Sequence, residues 1–201
     1  MLNRPRYRKG WTKRHHGLAL RSPARLAIVV RAPQGPLTRH LGRLLLDGKA
    51  YPCALGKTGI TARKREGDGA TPRGSLAILA GRFRADRVHK PFGAESFWRR
   101  IKPSDGWCDA PFTPTYNCPV SLPHGASHET MTRADHLYDR LIILDWNMSQ
   151  RSHGRGSAIF LHQARIERGQ IHGTEGCVAL DAVTFTRLAP RLATLDALIV
   201  L

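Results

Sequence analysis

The chain is short of acid. Against 32 Lys and Arg it carries only 15 Asp and Glu, a formal net charge of +17 in 201 residues, which points to acidic polymers as partners: nucleic acid, an anionic lipid surface or a carboxylate-bearing cell wall. Aromatics are scarce as well, at 7%, and the basic N-terminal stretch holds only Tyr7 and Trp11, too few stacking platforms for a single-stranded nucleic-acid groove. Nucleic acid is therefore not the expected partner. Apolar runs such as Leu26 to Val30 and Ala197 to Leu201 stop at about five residues, far below the roughly 20 of a membrane helix, and no membrane span is expected. Cysteines number four and form no C-x-x-C pair, which argues against a disulfide scaffold and against a zinc site of the usual spacing. Cys108 and Cys118, ten residues apart, either pair in an oxidising compartment or stay as buried thiols.

What is there suits one loop-rich domain with a short arm: 41% apolar and 23% charged residues, 19 Gly and 13 Pro. Residues 1–25 hold eight Arg and Lys, no acid, and the pair His15 and His16. They read as a flexible, solvated basic arm, with an electrostatic tether to an anionic surface as the functional alternative. The apolar stretch that follows is too short for the core of a secretory signal and reads as a strand, so no signal peptide is expected. The domain then spans 26–201.

Short apolar, β-branched segments recur at Leu26 to Arg31, Leu41 to Leu46, Lys49 to Leu55, Gly74 to Leu79, Arg140 to Leu144, Ala158 to His162, Cys177 to Leu180 and Ala197 to Leu201. Asp47-Gly48, Glu66-Gly67-Asp68-Gly69 and His153-Gly154-Arg155-Gly156 are the turn signals between them. The pattern predicts a mainly β fold, a mostly antiparallel sandwich or barrel, with one or two short helices. One helix is predicted after Leu180, capped by Asp181, with Val183, Leu188 and Leu192 inward and Pro190 ending or kinking it. A second is predicted over His128 to Asp139, with Met131 and Leu137 inward; Glu129, Asp135 and Asp139 then lie on its exposed face rather than forming a glycosidase pair.

The densest chemistry lies in Ala158-Ile159-Phe160-Leu161-His162, a loop, and Thr174-Glu175-Gly176-Cys177-Val178-Ala179-Leu180. An apolar strand ending in His, and a second strand opened by Cys 15 residues later, can bring imidazole and thiol to one end of a sheet. His then takes the thiol proton, giving a thiolate that is nucleophilic near neutral pH, where a free thiol of pKa about 8.5 is mostly protonated. Gly176, lacking a side chain, would let a substrate carbonyl approach the backbone N–H groups around Cys177. Taken singly, Cys177 reads as an inert buried thiol and His162 as a hydrogen-bonded core histidine. His172 and His153 are rival bases, but the apolar strand before His162 fixes that ring better.

These two segments, with Lys64-Arg65-Glu66-Gly67-Asp68-Gly69-Ala70-Thr71-Pro72-Arg73-Gly74 upstream and Trp107-Cys108-Asp109 and Tyr116-Asn117 between, resemble the YkuD-like L,D-transpeptidase catalytic domain from about residue 26 to the end. The resemblance implies a β-sandwich-like fold, Cys177 as nucleophile, His162 as general base and Gly176 beside the oxyanion hole. It implies no cofactor and no metal, peptidoglycan stem peptides as substrate, and crosslinking in cell-wall biogenesis and cell shape at the periplasm or envelope. Water as acceptor would make the same site an L,D-carboxypeptidase, a hydrolase. Thr174 matches the motif's Ser/Thr, and with His172, Tyr116 and Asn117 it is a substrate-binding candidate. The chain departs from the pattern at Glu175, where many members have His, and at Ala179, where many have Arg or Asn, so substrate carboxylate recognition is expected to differ.

Lys64, Arg65, Glu66 and Asp68 could line a donor groove, but Gly67 and Gly69 make a polar turn the first reading. Tyr116 and Asn117 would contact substrate through phenol and amide, or else pack. The competing functions are a non-catalytic basic module docking on nucleic acid or an anionic envelope polymer, and a cysteine peptidase of another fold, whose motif order the chain does not match.

Overall fold

The computed structural model describes residues 26–31, 38–91 and 96–201; the basic arm lies outside them. After β1 (Leu26–Arg31) comes a hairpin of β2 (Leu41–Leu46) and β3 (Lys49–Ala54), which shows how the local sequence works. Leu44 and Leu46 alternate inward against the exposed Arg43 and Leu45. Asp47 and Gly48 both take left-handed backbone, φ 49 and 73, as a two-residue turn between right-twisted strands requires. That turn sets Leu46 opposite Lys49.

The chain continues through β4 (Gly59–Thr61), β5 (Ala70–Pro72), β6 (Gly74–Phe83), β7 (Trp98–Arg100), β8 (Asp105–Cys108), β9 (Cys118–Ser121), β10 (His128–Thr130), β11 (Arg140–Asp145), β12 (Phe160–Gln163), β13 (Ile166–Glu167), β14 (Gln170–Ile171), β15 (Val178–Leu180), helix α1 (Ala182–Leu192) and β16 (Ala197–Val200). The main sheet runs β11-β12-β15-β3-β2-β1-β16-β6-β7, and β11 also pairs with β6. Everything from β11 round to β6 therefore closes into a barrel, with β7 appended. Closure removes the open sheet edges.

Two apolar layers result. One holds Leu44, Leu46, Leu76, Ile142, Leu144, Leu161 and Val178, with Phe185, Leu188, Ala189 and Leu192 of α1 packed into it. The other lies on the opposite face of β11 and β12, where Leu141, Ile143 and Phe160 meet Trp107, Met131 and Tyr138 beside the small antiparallel sheet β10-β8-β9. Because both faces of β11 are covered, Leu141 to Leu144 are all buried, a continuous apolar run where a half-exposed strand would alternate.

The mainly β expectation holds, as does the Asp181 cap, whose Oδ1 accepts from Thr184 N at 2.9 Å. Two helix expectations need correction, while Pro190 does lie in the turn that ends the helix. Val183 is 77% exposed, because the inward stripe is Phe185, Leu188, Ala189 and Leu192 at spacings of three, one and three. Pro190 sits in the last turn, where its missing N–H costs one bond, and the helix continues to Leu192. No helix forms over His128 to Asp139: its first residues pair as β10 with β8. Beyond them local polar bonds win over helix, with Arg133 forked onto Asp135 at 2.9 and 2.7 Å and Asp135 Oδ1 accepting from Leu137 N at 3.2 Å. Met131 is buried and Leu137 half-buried all the same. Glu129 and Asp139 are not on an exposed face: Glu129 accepts from Tyr138 Oη, and Asp139 is buried against Arg87 and His136.

Candidate active site

Strands β12 and β15 run parallel, with Leu161 opposite Val178 and His162 opposite Ala179. Side chains alternate, so Phe160 and His162 point to the face away from Leu161, and Cys177 shares that second layer. Thiol and imidazole are thus on one face, separated along it by one pair step of about 6–7 Å. The thiol donates to Ala158 O and accepts from Phe160 N, both at 3.3 Å. Ala158 has φ 52, a left-handed conformation costly for a residue with a Cβ, and is held there by its N–H on Asn117 Oδ1 at 3.1 Å.

His162 is buried, and its Nδ1 lies 2.7 Å from Gln163 O. A carbonyl only accepts, so Nδ1 carries the proton and Nε2 keeps its lone pair. Tyr138 stands edge-on to both Phe160 and His162, ring centres 5.8 and 5.5 Å away. Its hydroxyl donates to Glu129, and the Arg133 guanidinium lies 5.1 Å from its ring centre.

Burial dominates the electrostatics. It pushes the Cys177 thiol up to about 12 and the His162 imidazole down to about 4, and it raises the Glu129 carboxyl. Burial thus works against the thiolate–imidazolium pair expected from the sequence, because a buried site penalises either charge. Glu129 opposes a charge on sulfur, while Lys64 and Arg133 favour it.

The remaining sequence candidates are dispersed. Thr174 Oγ1 donates to Cys177 O at 2.7 Å and accepts from Gly176 N at 3.1 Å. It braces the turn into β15 and engages the Gly176 N–H. Gly176 has φ 139, and a Cβ there would stand 2.9 Å from Ala70 O. Asn117 is buried with its amide fully used: it accepts from Trp107 Nε1 at 3.0 Å and from Ala158 N, and donates to Trp146 O and Asn147 O, both at 2.9 Å. Tyr116 is buried, its hydroxyl donating to Glu66, which also accepts from Ser157 Oγ at 2.8 Å. His172 Nε2 is 3.4 Å from Glu167 Oε2 at the β13–β14 hairpin, and His153 stacks on Tyr116. His153 is exposed and His172 half-buried, whereas His162 is buried.

Sequence reasoning missed Ala158, Tyr138, Glu129 and Arg133, whose role comes from tertiary placement. It also misread Lys64, which is buried rather than part of a solvated turn. Gly156 and Gly176 were the available signal, since both pack on that lysine. Cys108 and Cys118 face each other across β8 and β9 as free thiols. Among the described residues no group of three His, Cys, Asp or Glu side chains is placed to hold a metal.

A family model described as the YkuD L,D-transpeptidase catalytic domain matches residues 27–200. The chain belongs to that family. Among curated proteins and among solved structures nothing matches it. The mostly β closed barrel is consistent with the YkuD fold, and membership makes the chain a transpeptidase-type enzyme of a family that acts on peptidoglycan. YkuD proteins are typically of the cell envelope. Among the described residues no helix is long and apolar enough to cross a membrane.

Proposed function

We propose that the protein is a cysteine L,D-transpeptidase of cell-wall stem peptides, working through an acyl-thioester on Cys177 with His162 as base. The observation that carries this reading is the shared face of β12 and β15, where a buried thiol and an imidazole whose Nε2 keeps its lone pair are diagonal neighbours on adjacent strands. In acylation the thiol proton passes to Nε2 as sulfur attacks the carbonyl joining the L-centre of a diamino acid to a terminal D-Ala. The C–S bond forms, the C–N bond breaks, and His162 returns the proton to the departing D-Ala amine. An amine of a second stem then gives a proton to Nε2 and attacks the thioester; the new C–N bond forms as the C–S bond breaks, and sulfur recovers its proton. Water in place of the amine would make the product a free acid.

Thr174, Gly176, Tyr116 and Asn117 act here as braces of the loops around sulfur, and the net positive charge favours a wall rich in carboxylates. The family setting supports envelope localisation. The test is intact-protein mass spectrometry of wild type and Cys177→Ala with a disaccharide tetrapeptide and a carbapenem. Wild type should gain an adduct and release D-Ala; Cys177→Ala should do neither while staying folded. An adduct that persists in Cys177→Ala, or none in a folded, reduced wild type, overturns the reading.

A further inference from the structure

Lys64 is 2% exposed, although it sits between the exposed Arg63 and Arg65 in a turn. A lysine head group is almost never buried without a partner; this one donates to Asp68 Oδ1 and, at 3.0 Å, to Arg65 O. The turn itself does not need the cation. Asp68 closes it through Arg65 N at 2.7 Å and Ala70 N at 2.9 Å.

What the lysine does reach is the nucleophile's backbone. A Cβ on Gly156 would stand 3.0 Å from Lys64 Cγ and Cε, and a Cβ on Gly176 would stand 3.4 Å from Nζ. Both glycines have left-handed φ, 90 and 139, and both adjoin the sulfur: Gly156 is two residues before Ala158, whose carbonyl accepts a hydrogen bond from the thiol, and Gly176 immediately precedes Cys177. The lysine therefore threads between the two chain segments that hold Cys177.

Resting on the function proposed above, we propose that Lys64 is the buried counter-charge of the Cys177 thiolate, a positioning residue that stabilises the anion formed on sulfur during acylation. Other groups facing that sulfur are Tyr138 and Glu129, the second of which opposes the anion, His162 from β12, and Arg133. Arg133 is a weaker candidate, since its side chain is 36% exposed, where water and salt screen it. Lys64 is shielded from both.

The test reads the pH dependence of Cys177 alkylation by iodoacetamide, located by peptide mass spectrometry, in wild type, Lys64→Met, Lys64→Arg and Asp68→Asn. Lys64→Met should shift the profile about one pH unit upward, a roughly tenfold slower rate at fixed pH, and Lys64→Arg should restore it. Asp68→Asn, which removes the negative charge offsetting Lys64, should shift it downward. A lysine that only supports the turn predicts lower melting temperatures for Lys64→Met and Asp68→Asn with an unmoved profile, or shifts of the same sign, and either overturns the proposal. If Lys64→Met does not fold, the direction of the Asp68→Asn shift decides alone: no shift, or an upward one, overturns it. D-Ala release by wild type separates the two readings. Release with an unmoved alkylation profile removes the role of Lys64 alone, whereas a moved profile without release removes the transpeptidase reading and leaves the charge coupling intact.

Discussion

Asn117 is the residue whose loss should cost most for its size. Replacing it by Ala orphans two buried donors, Trp107 Nε1 and Ala158 N, at about 1–3 kcal/mol each. Two carbonyls, Trp146 O and Asn147 O, lose their donor as well. The backbone adds a further contribution: φ at this position is 53, which Asn tolerates and Ala resists by about 1 kcal/mol. Together these give about 3–7 kcal/mol, the low end applying if water enters the space left by the amide. For a domain of this size that is a fall of about 6–28 °C in melting temperature. Thermal unfolding followed by circular dichroism measures it. Gly accepts the left-handed conformation, so Asn117→Gly should melt about 2–4 °C above Asn117→Ala. An Asn117→Ala protein melting within about 2 °C of wild type, or a glycine variant less stable than the alanine one, would refute this account.

The same site yields three further expectations. His162 is held neutral, its pKa lowered from 6.5 to about 4; its contribution is therefore present above pH 6.5 and lost as pH falls towards 4. That loss is about 3 kcal/mol, and His162→Gln should flatten the acid limb of a denaturant-midpoint profile, an unchanged limb counting against it. Burial raises the Cys53 and Cys177 thiols from 9.0 to about 12, so stability should hold below pH 9 and fall between 9 and 12 as the unfolded chain ionises first; Cys53→Ala should reduce that slope at fixed temperature. Gly176→Ala places a Cβ 2.9 Å from Ala70 O at φ 139 and should lose about 1–3 kcal/mol, together with a slower acylation by the tetrapeptide; wild-type melting and rate would contradict it.

Much of the barrel is readable in one dimension because its strands are apolar, β-branched and bounded by turn formers. Leu26–Arg31, Leu41–Leu46 and the starts of Gly74–Phe83, Arg140–Asp145 and Ala197–Val200 coincide with the segments expected from the sequence. Three other short strands were not readable. Trp98–Arg100 has two exposed arginines, and Asp105–Cys108 and His128–Thr130 carry little alternation; they exist because distant partners supply their hydrogen bonds. The supposed helix over His128 to Asp139 fails for the same reason, since pairing with β8 and the Arg133–Asp135 fork outbid a weak local preference.

By itself, then, the sequence determined what depends on near neighbours: the Asp47-Gly48 turn, the Asp181 cap, the strand bearing His162 and the motif opening at Cys177. Tertiary structure alone decided which polar groups lie inside. It buried Lys64 between Gly156 and Gly176, used every hydrogen-bonding group of the Asn117 amide, and set burial against a charge on thiol or imidazole. The physical reason is that the cost of burying a polar group is set by what surrounds it, and in a closed barrel the segments that wall in Lys64, Asn117 and Cys177 come from far along the chain.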